Sequence, residues 1–171
     1  MKVILIYGSE NDKPFMQPAR DYLEAENLDH EEEGLSAHRN LSELIEYLGK
    51  LEESGEKAVI LAIAGLAAAL PGVVVMKTSL PVIGVPVPGG PLNGIDALLS
   101  ISQLPGEVPA TTVGLHKKAP LNAAIAAHRI LKLAGEIGRA SCRESVSISV
   151  VAVHLKKKVL TPPYHNSSHS F

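Results

Sequence analysis

Residues 58–64, AVILAIA, carry no polar side chain over the full length of a β-strand. A strand with one face in water alternates apolar and polar residues. A strand that is apolar at every position must be covered on both faces. That is the condition of an interior strand in a parallel sheet with helices above and below it. Residues 2–7 (KVILIY) and 81–87 (PVIGVPV) repeat the pattern, and Ala110 to Leu115 (ATTVGL) reads as a further strand. His30 to Leu35 (HEEEGL) occupies the place of a second strand, but three consecutive glutamates suit a strand poorly. An edge position would accommodate them.

The intervening segments read as helices. Asp12 to Asn27 is one, with Pro14 in its first turn and Pro18 marking a bend or a late start. Asn40 followed by Glu43 resembles a capping box. Leu41, Leu44, Ile45, Leu48 and Leu51 then recur at helical spacing, up to Gly55 as C-cap. An Ala-rich segment follows Gly65 and reads as helix to about Thr78. Gly94 to Leu104 and Pro120 to Leu133 complete the set. Strands alternating with helices predict parallel βαβ units: an α/β three-layer sandwich with a central parallel sheet, flavodoxin-like or Rossmann-like. In such folds a ligand sits beyond the carboxyl ends of the strands, near the point where the strand order reverses.

Composition excludes several alternatives. The uncharged stretch from Ala58 to Met76 approaches the length of a membrane span, but Gly65 and Pro71-Gly72 interrupt it. The apolar run after Lys2 is too short for the core of a secretion signal. Cys142 is the single cysteine, so no intrachain disulfide forms, and a reducing compartment fits. Residues 1–135 hold 11 Lys/Arg against 16 Asp/Glu, whereas residues 136–171 hold 5 against 2. An acidic body argues against nucleic-acid binding, which needs a basic face.

From Glu136 the periodic pattern breaks. The run EIGRASCRESVSISVVAVHLKKK reads as translated adapter sequence. The expected organisation is therefore a working domain over residues 1–135 and a non-native tail over residues 136–171, with no chemistry assigned to Cys142, His154, His165 or His169.

Three motifs fall at expected strand ends. Gly8-Ser9-Glu10-Asn11-Asp12 follows the first strand and opens a helix, where backbone N–H groups face an anion and Ser9 can donate a hydroxyl. Asp12 there either accepts from a ribose diol or caps the helix. Ser36-Ala37-His38-Arg39 follows the second strand. It combines a side chain class that gives and takes protons near neutrality with one that suits phosphate. Residues 64–72, AGLAAALPG, follow the third strand, and their small side chains allow either close approach of a planar ligand or tight helix–strand packing.

Taken in order, GSEND, SAHR, AGLAAALPG, KTSLPVIGVPV, LNGIDALLSISQLPGEVP and NAAIAA resemble the class I N5-carboxyaminoimidazole ribonucleotide mutases, archaeal members in particular, over about residues 1–133. The resemblance implies a cytoplasmic homo-octamer of purine biosynthesis. It would convert N5-carboxyaminoimidazole ribonucleotide to 4-carboxyaminoimidazole ribonucleotide without metal, ATP or other cofactor. It would have no nucleic-acid or membrane partner. The implied steps are decarboxylation in a closed site, recapture of the trapped carbon dioxide by C4, and removal of the C4 proton. His38 aligns with the family's general acid/base. Ser9 and Arg39 align with the phosphate site and Asp12 with the ribose contact, while Ser36, Ala64 and Gly65 align with pocket-lining positions.

The chain departs from the family pattern in places. The first motif of the family reads GSxSD, and here Asn11 replaces the second serine. The family's AAHLPG has Ala69 in place of its histidine. His116-Lys117-Lys118 occupies a loop that is usually Gly-Lys-Ala, and a solvent-facing position is expected for it. Two rival readings follow. Class II relatives carboxylate aminoimidazole ribonucleotide directly, but they carry an AGRSN-like stretch where this chain has Ala64-Gly65-Leu66-Ala67-Ala68. A nucleotide-binding relative that lost catalysis with the second histidine is the other, motivated by Ala69.

Overall fold

The computed structural model describes residues 1–135, and the contacts below lie within the unit Met1–Leu133. Residues 136–171, with Cys142 and the expected tail boundary, lie outside the described residues.

Five parallel strands form one sheet in the order β2-β1-β3-β4-β5, with β1 Lys2–Tyr7, β2 His30–Glu33, β3 Ala58–Ala64, β4 Val82–Pro86 and β5 Thr111–Thr112. The helices are α1 Gln17–Ala25, α2 Leu41–Ser54, α3 Ala69–Val75, α4 Ile95–Ser102 and a last helix α5 over residues 119–135. All seven residues of β3 are buried, as their composition requires. Alternate residues serve opposite layers. Ile4, Ile6, Ile60 and Ala62 face Leu44, Leu48, Leu70, Val74 and Ile101 of α2, α3 and α4. Val3, Leu5, Val59, Leu61 and Ile63 face Ala19, Leu23, Ala123, Ala127 and Leu131 of α1 and α5. Each of the valine, leucine and isoleucine side chains among them contributes about 1.5–3 kcal/mol by leaving water. The fold is the expected three-layer α/β sandwich. The stretch from Ala58 to Met76 is used as β3 and α3, and no helix among the described residues is long and apolar enough to cross a membrane.

The glutamates of β2 are explained by its edge position. Glu31 accepts from Lys2 Nζ at 2.8 Å and from the Tyr47 hydroxyl, and Glu32 accepts from Arg20 at 3.2 Å. The bond to Glu31, with help from Glu56, pushes the Lys2 ammonium up to about 12.

Four local expectations are corrected. The helix expected from Asp12 begins instead as a 3-10 helix, Glu10–Met16, while α1 makes the late start expected at Pro18, opening at Gln17 with Pro18 in its first turn, where a missing N–H is harmless. Gly65 to Ala68 form a loop rather than helix, and α3 ends at Val75 because the chain must turn back into β4. Asn40 does not close a capping box with the amides of α2. β5 spans two residues only. Gly55 ends α2 as expected, at φ 63°.

Two glycines are required by space. A Cβ at Gly84 in β4 would lie 2.6 Å from Ile101, so its absence lets α4 settle on the sheet. Gly94, before α4, sits at φ +85°, with Val87 O and Pro88 Cα each 2.9 Å from where a Cβ would be.

Candidate active site

The strand order reverses between β1 and β3, which leaves a crevice beyond their carboxyl ends. A cavity of about 550 Å³ fills it. Its walls come from the loops after β1, β2 and β3, and all seven residues singled out from the sequence line it: Ser9, Asp12, Ser36, His38, Arg39, Ala64 and Gly65. A smaller cavity of about 270 Å³ adjoins it, shares Gly8, Ser9, Ser36 and Arg39, and adds Glu10, Asn40 and Glu43.

The first loop is shaped by Ser9. Its backbone is extended (φ −150°, ψ 141°), and its Oγ accepts from the Asn11 N–H at 3.3 Å. Ser9 is therefore the helix cap, which corrects the capping alternative offered for Asp12. Arg20 anchors the segment from below by donating to the Lys13 carbonyl at 2.8 Å and to the Tyr7 hydroxyl at 3.0 Å. Asp12 is half-buried. Burial pushes its carboxyl above the usual aspartate value, while the Arg39 charge and the Ser9 backbone pull it back in part.

The second loop is a closed turn. Ser36 is buried, and its Oγ accepts from the His38 N–H at 3.3 Å. The Asn40 side-chain oxygen accepts from the Ser36 N–H at 2.6 Å. Arg39 reaches across to β1, where its Nη2 donates to the Gly8 carbonyl at 2.6 Å. That bond holds the first two loops together and sets a guanidinium between them. The His38 imidazole is exposed and makes no side-chain hydrogen bond among the described residues. It is thus free to engage a ligand in the cavity.

The third loop carries no charge. Gly8 N–H donates to Ile63 O at 2.9 Å, and Val87 N–H to Ala64 O at 3.0 Å, so β3 is held on both sides up to its last residue. The chain then turns sharply through Leu66, which adopts φ 52°. For a leucine that conformation costs roughly 1–2 kcal/mol. Ala67, Ala68, Ala69 and Leu70 complete an apolar wall. The sequence reading missed the lining roles of Leu66 and Leu70, which carry no chemical signal of their own, and the turn-closing role of Asn40. The spacing of Asn40 and Glu43 was a signal, but it pointed to a helix cap. His116 is exposed, as expected. It accepts from the Lys118 N–H at 3.1 Å and does not line the cavity.

Known proteins share both sequence and fold. The family model described as AIR carboxylase matches residues 2–147. A protein of Saccharolobus solfataricus named N5-carboxyaminoimidazole ribonucleotide mutase is 47% identical over 130 residues, which is 76% of this chain and 80% of that protein. A Bacillus subtilis protein of the same name is 46% identical over 74% of this chain and 78% of its own length. Another, from Escherichia coli K12, is 42% identical over 76% of each. The crystal structure of Treponema denticola PurE superposes with a TM-score of 0.70, covering 93% of this chain and 98% of that one at 24% identity, a likeness of fold.

Proposed function

The chain belongs to the AIR carboxylase family, and from that premise we propose that it converts N5-carboxyaminoimidazole ribonucleotide to 4-carboxyaminoimidazole ribonucleotide in purine biosynthesis. The observation that carries the proposal is the gathering of His38, Arg39, Ser9 and Asp12 around one cavity at the reversal of strand order, in a chain 42–47% identical to proteins of that name.

The net reaction moves a carboxylate from N5 to C4 and one proton the other way. A single group that both gives and takes a proton therefore suffices, and His38 has that role. It protonates N5 as carbon dioxide leaves. It accepts the C4 proton after C4 has attacked the trapped carbon dioxide. Arg39 and Ser9 hold the phosphate, Arg39 through the guanidinium N–H groups that its bond to the Gly8 carbonyl leaves free. Asp12 accepts from the ribose hydroxyls, while Ser36, Ala64 and Gly65 line the base. The uncharged wall from Ala64 to Leu70 keeps water away from the free carbon dioxide.

In the single chain His38 and Arg39 are exposed, so the site needs a cover. A homo-octamer supplies it. The exposed apolar side chains Leu41 and Ile45 of α2 and Leu92, Ile95 and Leu99 at α4 support such an assembly. The enzyme works in the cytoplasm. Its working domain is residues 1–135, with residues 136–171 foreign to it. Because the family match runs to residue 147, light scattering on chains ending at residues 135, 147 and 171 tests both boundary and assembly. An octamer is the expected result for all three chains, and one that forms only when the tail is removed would show that the tail hinders assembly.

The decisive assay mixes the full chain with N5-carboxyaminoimidazole ribonucleotide and follows the C4-carboxylated product. Turnover above the uncatalysed rate is expected. Ribonucleotide binding without turnover would support a second reading, that of a ligand-binding relative, which Ala69 in the apolar wall motivates. Product arising faster from aminoimidazole ribonucleotide and bicarbonate would favour direct carboxylation.

A further inference from the structure

We infer that Asn40 is a positioning residue for this reaction, acting through the turn that presents His38; the inference rests on the role given to His38 above. Asn40 stands immediately before α2, where a capping side chain normally accepts from the helix's own first amides. It makes no such bond. Its Oδ1 turns back to accept from the Ser36 N–H at 2.6 Å, and its Nδ2 donates to Glu43 Oε2 at 2.9 Å. Its own N–H donates to the Ser36 carbonyl at 3.2 Å. Both backbone groups of Ser36 are therefore bound to Asn40. The two residues close a ring from which Ala37, His38 and Arg39 project.

The ring matters because of what His38 lacks. No side-chain partner among the described residues orients its imidazole, so its place over the cavity is set by its backbone. Arg39 differs, since its bond to the Gly8 carbonyl fixes it independently. Glu43 decides which way the Asn40 amide faces. A carboxylate only accepts, so it takes Nδ2 and leaves Oδ1 for Ser36. Without Asn40 the Ser36 N–H, in a residue only 9% exposed, has to find water by opening the turn.

Three variants of the full chain test this. Asn40→Ala removes both side-chain bonds. Asn40→Asp keeps the acceptor for Ser36 but sets two carboxylates against each other. Asn40→Asp combined with Glu43→Gln reverses the polarity of the pair, so that the introduced glutamine amide donates to the introduced aspartate and both bonds return. Displacing a reacting group by about 1 Å lowers turnover roughly 100-fold. A fall in kcat of that order is expected for N40A and a smaller one for N40D. The double variant returns to within about threefold of the parent, because its geometry is restored. KM moves far less than kcat, since Arg39 keeps its own anchor. Hydrogen exchange at the Ser36 amide gives a readout independent of activity: slow in the parent and the double variant, fast in N40A. If N40A does not fold, N40D against the double variant carries the comparison. An active parent with an equally active N40A overturns the inference. So does a double variant that melts like the parent yet gains no turnover over N40D. A parent without turnover is a distinct failure. It removes the role of His38, and this inference with it, before any variant is compared.

Discussion

The two walls of the cavity are built on different principles. The wall after β1 and β2 is polar, and its groups are tied: Ser9 caps a helix, Arg39 holds the Gly8 carbonyl, and Asn40 closes the turn under His38. The wall after β3 has no titratable side chain from Ala64 to Leu70, and it is shaped by backbone bonds and by a leucine held at positive φ. The contrast teaches a division of labour. On the proposed mechanism, proton transfer and charge recognition belong to one wall, shape and exclusion of water to the other.

The largest effect should come from removing the only imidazole of the polar wall among the described residues. His38→Asn is expected to lower turnover by about 10²–10⁴-fold, the usual contribution of a positioned acid/base. Calorimetric titration with the ribonucleotide should show binding close to that of the parent. Lost binding with residual turnover preserved would break the division between chemistry and recognition. Next is Arg39→Leu. A charge-assisted bond to an anion contributes about 1.5–3 kcal/mol, so KM should rise roughly 10–100-fold, and added salt should weaken binding to the parent more than to the variant.

A smaller effect is expected on the apolar wall. If that wall only shapes the site, Ala69→His should leave kcat within roughly threefold of the parent. A large gain in turnover would show that the wall had lost a chemical role, and would move the chain toward the ligand-binding reading. The smallest effect concerns Asp12. Burial raises its carboxyl above the ordinary value of 3.8, so the folded chain takes up a proton more readily than the unfolded one. Stability therefore falls as pH rises through the window above 3.8, and the ionised carboxylate is a standing burden at neutral pH. Asp12→Asn should raise the melting temperature at pH 7 by no more than about 2 °C, the group being half-exposed. The gain should vanish below that window, while ribonucleotide binding weakens. A melting temperature that drops would mean that the attraction of Arg39 outweighs burial.

Much of this was legible in the chain itself. A run such as AVILAIA has a single low-energy use, so β3 and its neighbours could be placed to within a residue or two. The site residues could be gathered because motifs at the carboxyl ends of adjacent parallel strands must converge. Local hydrogen bonding was less legible. The first motif offers Asp12 as a cap and Ser9 as a hydroxyl donor, and only the backbone angles of Ser9 show that Ser9 is the cap. Asn40 and Glu43 have the spacing of a capping box, yet a buried amide at Ser36 competed for the Asn40 oxygen and won it. Pro18 was visible as an irregularity, but only the 3-10 helix before it showed that a proline in the first turn removes the conflict.

The sequence by itself determined the layer architecture, the parallel sheet and the family, because hydrophobic periodicity and ordered motifs are properties of the chain read along its length. The tertiary structure alone decided which polar atoms meet: the Gly8 carbonyl with Arg39, the Ser36 amide with Asn40, and Asp12 with a partly buried place facing the cavity. The physical reason is distance. Burial of apolar surface is additive and tolerant of small shifts. A hydrogen bond between loops 31 residues apart exists only where the packed sheet brings donor and acceptor within about 3 Å.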